Sequence, residues 1–377
     1  MGGNVTALNK VTGEETRAER VNLQEIPRQS FTRISTELFR FINNDFRNRY
    51  GEALVDESIL DDASIFNGST SYIMNQEISD EEVLECKTTV GDIDIMVPVD
   101  SKDILWNYLD SWEGEEIMPG VVYAGSNKPT VESIGSQINS VFVIDFGVKK
   151  VPVQVDFEFT EFKDNKPTEW AKFSHSSSFE DAQKGIKAVH HKFLLRALIG
   201  GSSARPDLVI CTPGSTPEKI TLTKAKEHML PRMLKFSVDR GVRVAYEPLG
   251  VSLDGKEVYR PIPTSRSTFI TEIPEIYSVA FPNSKKTETN KIKSFIGIIE
   301  LMKKYFTPEQ IKDTSDRYIE LLWGFARDRG QELERDDPAS DLLVKEAGYE
   351  YFIKELSLPD ERKDFITEYY KDYRVSK

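Results

Sequence analysis

The chain has 377 residues, of which 39% are hydrophobic and 29% charged, and its formal net charge is −13 at pH 7. This length predicts two or three lobes, and this composition excludes an intrinsically disordered chain. The acidic balance argues against broad, nonspecific binding of nucleic acids, because contacts to phosphate need a basic surface.

Membrane insertion and secretion are not expected. The apolar runs are short, such as "VFVI" at 141–144, whereas roughly 20 apolar residues are needed to cross a bilayer. The N-terminus carries no apolar segment of the kind found in signal peptides. Cys86 and Cys211 lie far apart without the spacing of a metal site, which favours a reducing compartment. We therefore expect a cytoplasmic protein without a membrane partner.

The chain begins with a polar stretch and a helix. Residues 1–28 are polar and of mixed charge, which predicts a tail or an arm. Residues 30–50 carry apolar side chains at spacings of three, four and seven, which predicts an amphipathic helix. Ser30 suits its N-cap and Gly51 its end. The acidic residues 76–85 predict an exposed loop or short helix.

Three strands are predicted next. The first covers about 89–99, and a helical pattern at 101–112 follows it. The segments "INSVFVIDFG" (138–147) and "VKKVPVQVDFEFTEF" (148–162) meet at a short turn and predict a hairpin. Residues 29–165 are therefore expected to form an α+β lobe with a mixed sheet.

Residues 166–377 are expected to form a second lobe. A strong helical pattern covers 178–199. Residues 205–280 are richer in Val, Ile, Tyr, Pro and Gly and predict strands, whereas residues 284–377 are helical in pattern. His190 and His191 lie on the predicted helix 178–199. Adjacent helical side chains point about 100° apart, so we interpret the two histidines as surface or half-buried residues rather than metal ligands.

Two aspartates lie two positions apart in the first predicted strand. Side chains alternate along a strand, so Asp92 and Asp94 face the same side, roughly 6–7 Å apart at the backbone. Two such carboxylates can hold a pair of Mg²⁺ ions, and oxygen ligands are those that Mg²⁺ prefers. Without further residues, the pair is equally typical of the solvated face of a sheet.

A third carboxylate is available on the predicted strand at 151–159. Asp156 joins Asp92 and Asp94 if this strand lies beside the first one. Glu158 shares its face, and Asp145 lies on the partner strand of the hairpin, so both remain alternatives.

Upstream, Gly68 and Ser69 predict a tight turn before a helix. A glycine lets backbone N–H groups approach a phosphate closely, and the serine hydroxyl can hydrogen-bond it. A plain turn without a ligand is the alternative interpretation.

Taken in order, Gly68-Ser69, Asp92-x-Asp94 and the later Asp156 resemble the motif of the polymerase β-like nucleotidyltransferase superfamily. The resemblance covers about residues 30–160. It implies a nucleotidyltransferase-type sheet with two Mg²⁺ ions, or Mn²⁺, held by Asp92, Asp94 and Asp156. The 23 positions from Ser69 to Asp92 exceed the family's usual interval, so residues 76–85 are expected to be an insertion.

The resemblance also implies an activity. Family members transfer a nucleoside monophosphate from an NTP, here expected to be ATP, to a hydroxyl acceptor and release pyrophosphate. In relatives that make nucleotide second messengers, a lysine on a later helix contacts the triphosphate. Lys187 fits this role, and Lys184 and Lys192 are alternatives, as is a simply solvated lysine.

The sequence leaves several classes of acceptor possible. A second nucleotide, giving a nucleotide second messenger, is placed slightly above an RNA end such as that of tRNA. A protein side chain or a small molecule is a third class. A catalytically inert module that binds a nucleotide or a partner is the alternative outside the enzymes.

Overall fold

The computed structural model describes residues 5–8, 13, 15–60, 64–112, 116–126, 137–175, 177–199, 208–210, 220–221, 234–237, 240–244, 246–252, 257–263, 266, 268–332 and 347–360 of the chain. Helices and strands are mixed, so the fold class is α+β, as predicted. Within these ranges no helix combines the length and apolar character needed to span a bilayer.

Contacts divide the chain into two compact units. The first comprises Met1–Phe179 and Val238–Arg240, and the second comprises Glu180–Ser237 and Gly241–Lys377. The division therefore falls at Phe179, beyond the boundary at 165 that the sequence suggests.

The first unit contains eleven named strands and five named helices in its described part. The strands are β1 (Thr6–Leu8), β2 (Glu15–Arg17), β3 (Val21–Asn22), β4 (Thr89–Val90), β5 (Asp92–Pro98), β6 (Glu116–Met118), β7 (Val121–Ser126), β8 (Gln137–Asp145), β9 (Lys150–Thr160), β10 (Phe162–Lys163) and β11 (Lys166–Pro167). The helices are α1 (Arg28–Tyr50), α2 (Gly68–Met74), α3 (Asp80–Cys86), α4 (Lys102–Asp110) and α5 (Glu169–His175), with short 3₁₀ turns at Glu57–Ile59 and Val99–Ser101.

A five-stranded mixed sheet forms the centre of the first unit, in the order β5-β9-β8-β7-β6. β5 and β9 run parallel, and the other neighbours are antiparallel. The predicted hairpin is confirmed as β8 and β9, which pair from Asp145 opposite Lys150 onwards. Ile93, Ile95 and Val155 are fully buried, so one face of the β5–β9 pair packs into the core as the alternating pattern predicts.

Helix α1 has the predicted amphipathic pattern but begins earlier than expected. It starts at Arg28 after Pro27, and the predicted N-cap Ser30 lies inside it. The Arg28 side chain donates to the carbonyl oxygens of Ile73 and Ile78, both at 2.6 Å, and this anchors the first turn. At the other end Gly51 takes a left-handed conformation with φ 85°, so the prediction of its C-terminal end is confirmed.

Residues 1–28, expected to form a tail or an arm, contain three short strands in their described part. β1 and β2 pair with each other, and β3 pairs with β4 next to the central sheet. Ala7 and Ala18 are buried against Ala124 and Val141. Small side chains alternate with polar ones here, so the segment is polar in composition yet buries one narrow face.

The second unit combines two small sheets with helices. Its strands are β12 (Leu208–Ile210), β13 (Ile220–Thr221), β14 (Leu234–Ser237), β15 (Gly241–Val244), β16 (Tyr246–Ser252), β17 (Glu257–Pro261) and β18 (Phe269–Ile270), in the orders β12-β17-β16-β13 and β14-β15-β18. Its helices are α7 (Ala188–Ile199), α8 (Ile273–Ala280), α9 (Phe295–Tyr305), α10 (Pro308–Glu332) and α11 (Ala347–Glu355), with a 3₁₀ segment at Lys286–Lys293, while α6 (Phe179–Gln183) begins at the last residue of the first unit.

The single helix predicted for 178–199 is instead the two helices α6 and α7. Gly185 lies between them with φ 72°, a conformation that ends a right-handed helix. The predicted exposure of His190 and His191 is wrong as well, because their exposed fractions are 0% and 4%. His190 Nδ1 lies 2.6 Å from the Tyr318 hydroxyl, and His191 Nε2 lies 2.8 Å from the Ile292 carbonyl oxygen. Both histidines are therefore core residues of the second unit.

Candidate metal centre

The parallel pairing of β5 and β9 brings three aspartates together. Asp94 lies opposite Asp156 in the register, and Asp92 lies opposite Gln154. Side chains two apart on a strand share a face, so Asp92, Asp94 and Asp156 point to the same side. One carboxylate oxygen of each lies within 4.8 Å of the others, a spacing that can hold a metal ion.

The register also separates Asp156 from its two alternatives. Asp145 pairs with Lys150 at the far end of the hairpin, where its carboxylate accepts from the Gly147 backbone N–H at 2.8 Å. Glu158 pairs with Met96, one step further along the same face. Among the described residues, the group that can hold a metal ion contains Asp156 and neither alternative.

Burial and mutual repulsion disfavour the charged forms of these carboxyls. Burial raises the pKa of Asp156 to about 7, and the neighbouring Asp92 adds to this shift. The pKa of Asp94 lies well above its usual range, first because of burial and then because of Asp92, Glu158 and Asp156. Burial also raises the pKa of Asp92. A bound divalent cation would remove this repulsion and favour the ionised forms.

The chemistry of the ligand atoms decides which metals this site can bind. Asp94 is only 9% exposed, and its carboxylate accepts no hydrogen bond within the described part of the chain. A cation bound beside this buried carboxylate would offset both its lost hydration and the repulsion from the neighbouring carboxyls. Three carboxylates without sulfur or imidazole suit Mg²⁺ or Mn²⁺ and not Zn²⁺.

The segment 67–70 is attached directly to β5. The Asn67 backbone N–H donates to the Asp94 carbonyl oxygen at 3.1 Å. The Thr70 hydroxyl donates to the Asp92 carbonyl oxygen and accepts from the Asp94 backbone N–H, both at 3.2 Å. These bonds place Gly68 against Asp94, so the segment lies beside this carboxylate despite the long interval between them in the sequence.

Gly68 fits this position because it has no side chain. Its φ is 54°, and a Cβ atom built there would lie 2.0 Å from Asp94 Oδ2. Ser69 follows as a half-buried residue of α2. The acidic residues 76–85 include α3, which a reciprocal Ser79–Glu82 capping box begins. This stretch is therefore a short helix, one of the two conformations expected for it.

Two features of the site were not found from the sequence. Glu158 Oε2 lies 2.6 Å from His175 Nδ1 and also accepts from the Asn67 side-chain amide. Lys87 lies close enough to the carboxylates for Asp92 and Asp94 to raise its pKa, while burial lowers it more strongly. Neither His175 nor Lys87 belongs to a motif, so only the tertiary structure identifies them.

Lys187 is an exposed residue immediately before α7, in the second unit. The aspartates, Gly68 and Ser69 belong to the first unit. A contact between Lys187 and a nucleotide therefore stays a prediction, as it does for the alternatives Lys184 and Lys192.

Comparisons of the chain with protein-family models, with curated proteins and with solved structures find no match. The resemblance to the nucleotidyltransferase superfamily therefore rests on the motif residues themselves and on their geometry in the first unit.

Proposed function

We propose that this chain is a Mg²⁺-dependent nucleotidyltransferase, which transfers a nucleoside monophosphate from an NTP to a hydroxyl acceptor with release of pyrophosphate. The observation that carries the proposal is the group formed by Asp92, Asp94 and Asp156 on two parallel strands. The close packing of the Gly68 backbone against Asp94, which leaves no room for a Cβ atom, supports it because it joins the Gly-Ser segment to the carboxylates.

The metal ions are proposed to be two Mg²⁺, which Mn²⁺ can replace. Asp92 and Asp94 would hold both ions, and Asp156 would hold the ion nearer the acceptor. When bound, such ions stabilise charge on the attacking and leaving oxygens of an in-line displacement.

The protein residues supply position and charge. Asp156 would act on the acceptor hydroxyl through the ion that it holds, and its carboxylate is held in place by neighbouring amides. Gly68 and Ser69 contact the phosphates of the NTP, through the backbone at Gly68 and the hydroxyl of Ser69. Because the acceptor attacks the α-phosphate directly, no covalent intermediate with the enzyme is needed.

The acceptor class is tested with labelled nucleotides. The full chain is incubated with Mg²⁺ and each NTP labelled on the α-phosphate, with and without bulk tRNA. We expect pyrophosphate release and a labelled nucleotide product without any added acceptor, as a second-messenger synthase would give.

The other outcomes are equally informative. Label transferred only in the presence of tRNA would assign the acceptor to an RNA end and would leave the nucleotidyltransferase proposal intact. Tight NTP binding without product or pyrophosphate would contradict the proposal and identify an inert nucleotide-binding module.

A further inference from the structure

The third carboxylate of the centre is held by two side-chain amides that the motif does not contain. Gln154 Nε2 donates to both oxygens of Asp156, at 2.9 Å to Oδ1 and 2.8 Å to Oδ2. Asn139 Nδ2 donates to Oδ1 at 2.7 Å. Gln154 is 4% exposed, so water competes little for this amide.

The position of the Gln154 nitrogen matters for any cation. Nε2 is nearly equidistant from the two carboxylate oxygens, so it lies in front of the opening between them, which we call the fork. A cation bound by both oxygens of one carboxylate would occupy this same place. While Gln154 stays there, Asp156 cannot bind a metal ion in a bidentate manner.

Asn139 restricts Asp156 further. A carboxylate offers about four lone-pair positions, two on each oxygen. The two amides take both positions on Oδ1 and one on Oδ2 of Asp156. One position on Oδ2 remains for a cation, which makes Asp156 a monodentate ligand.

The amino-terminal arm fixes the orientation of Gln154. The Val5 backbone N–H donates to Gln154 Oε1 at 3.3 Å, so the amide turns its nitrogen towards Asp156. Val5 itself is held beside the buried cluster of Ala7 and Ala18, which packs on Val141 of β8. The arm therefore supports the orientation of the amide over the fork.

We propose that Gln154, supported by Asn139, makes the centre select Mg²⁺ over Ca²⁺ by restricting Asp156 to monodentate binding. Mg²⁺ needs near-octahedral geometry at about 2.0–2.1 Å, which monodentate carboxylates and waters satisfy. Ca²⁺ takes 6–8 ligands at about 2.3–2.6 Å and gains from bidentate carboxylates. The proposal rests on the metal centre of the proposed function and adds Gln154 as the residue that determines its specificity, while Asn139 only supports it.

The test is the ratio of Mg²⁺ to Ca²⁺ affinity, measured by calorimetric titration of each metal into the metal-free full chain. Gln154→Met keeps the length of the side chain but removes the amide. We expect this variant to shift the affinity ratio towards Ca²⁺ by about tenfold, which corresponds to about 1.4 kcal/mol. Gln154→Thr, which suits a strand and is too short to cover the fork, carries the same expectation if Gln154→Met fails to fold.

Two further variants serve as controls. Gln137→Met makes the same change on β8. Gln137 lies on the same face of this strand as Asn139, but it pairs with Glu158 instead of Asp156. This variant should keep the wild-type ratio. Asn139→Leu leaves the fork covered by Gln154 and should change the ratio by less than about threefold.

The outcomes separate this inference from the proposed function. A wild-type ratio in Gln154→Met, or an equal shift in Gln137→Met, overturns the selectivity proposal and leaves the metal centre in place. A wild-type chain that binds neither cation overturns the metal centre and this inference together. Because the measurement uses metal ions alone, it does not depend on nucleotide turnover.

Discussion

Gly68 and Asp94 lie in direct contact, and this contact gives the glycine a role beyond that of a turn. The φ of 54° disfavours other residues, and the Cβ of any of them would collide with Asp94 Oδ2. Gly51 is a matched control, because its φ is also positive, at 85°, while nothing lies within 4 Å of a Cβ built there.

Gly68→Ala and Gly51→Ala should therefore differ. Each carries a strained backbone that costs about 1–2 kcal/mol, but only Gly68→Ala displaces a carboxylate of the centre. We expect Gly68→Ala to weaken Mn²⁺ binding by about tenfold or more, and Gly51→Ala to leave it unchanged. Titration of Mn²⁺ followed by electron paramagnetic resonance measures this, and equal effects of both changes would remove Gly68 from the site.

Asp94 is expected to destabilise the metal-free protein. Its folded-state pKa is raised, so the folded chain binds a proton more tightly than the unfolded chain does. Its contribution to the free energy of unfolding therefore falls as the pH rises above the unfolded value. A group that favours metal binding at the expense of stability is typical of functional sites.

Asp94→Asn should then stabilise the protein when a chelator is present. We expect the free energy of unfolding to rise by about 1–2 kcal/mol at pH 8 and by less at pH 5, because the wild-type cluster takes up protons at lower pH. Urea unfolding at both pH values measures this. A loss of stability at pH 8 would contradict the electrostatic account of the cluster.

Among the elements, β5 and β9 show what the sequence can and cannot predict. Alternation of apolar and acidic residues predicts both strands and the shared face of Asp92 and Asp94. It does not contain the register between strands more than fifty positions apart, so Asp145 and Glu158 remained alternatives to Asp156. The parallel pairing of Asp94 with Asp156 decides between them.

Two other elements differ from their patterns for local reasons. Helical periodicity runs through 178–199, but a left-handed Gly185 interrupts it. The arm at 5–22 is polar in composition, and its buried face consists mainly of small residues such as Ala7 and Ala18. The average hydrophobicity of this segment cannot identify so narrow a buried face. The short strands of the arm are stabilised mainly by packing against the sheet, and not by their own composition.

Asp181 joins α6 to α9 within the second unit. Its carboxylate accepts from the backbone N–H groups of Phe295 and Ile296, at 2.8 and 3.1 Å, where α9 begins. Burial raises its pKa to about 6 although these donors lower it. Since the pKa is raised, the stability that Asp181 contributes decreases as the pH rises from about 4 to about 6.

Asp181→Ala leaves two buried donors without this acceptor. We expect the free energy of unfolding to fall by about 2–4 kcal/mol, and the loss to be about 1 kcal/mol larger at pH 5 than at pH 7. Denaturant unfolding at the two pH values checks this. A loss that is larger at pH 7 would reverse the sign and refute the assigned pKa shift.

At the scale of the whole molecule, the candidate site lies entirely within the first unit. The motif residues Gly68, Asp92 and Asp94 were predictable because their residue types and their order resemble a known motif. Gln154 and His175 were not, because a glutamine and a histidine acquire their roles only from neighbours distant in sequence. The second unit offers Lys187, whose role is still a prediction from the resemblance.

Pyrophosphate release from an NTP in the presence of Mg²⁺ tests the central claim most directly. The full chain is compared with Asp92→Asn, which removes a proposed metal ligand, and with Asp145→Asn, which changes an aspartate at the opposite end of the β8–β9 hairpin. We predict that Asp92→Asn lowers the rate at least about 1000-fold, since a metal ion supplies several kcal/mol of charge stabilisation. Asp145→Asn should stay within about twofold of the wild-type rate. A full rate in Asp92→Asn would contradict the assignment of the three aspartates as the catalytic metal centre.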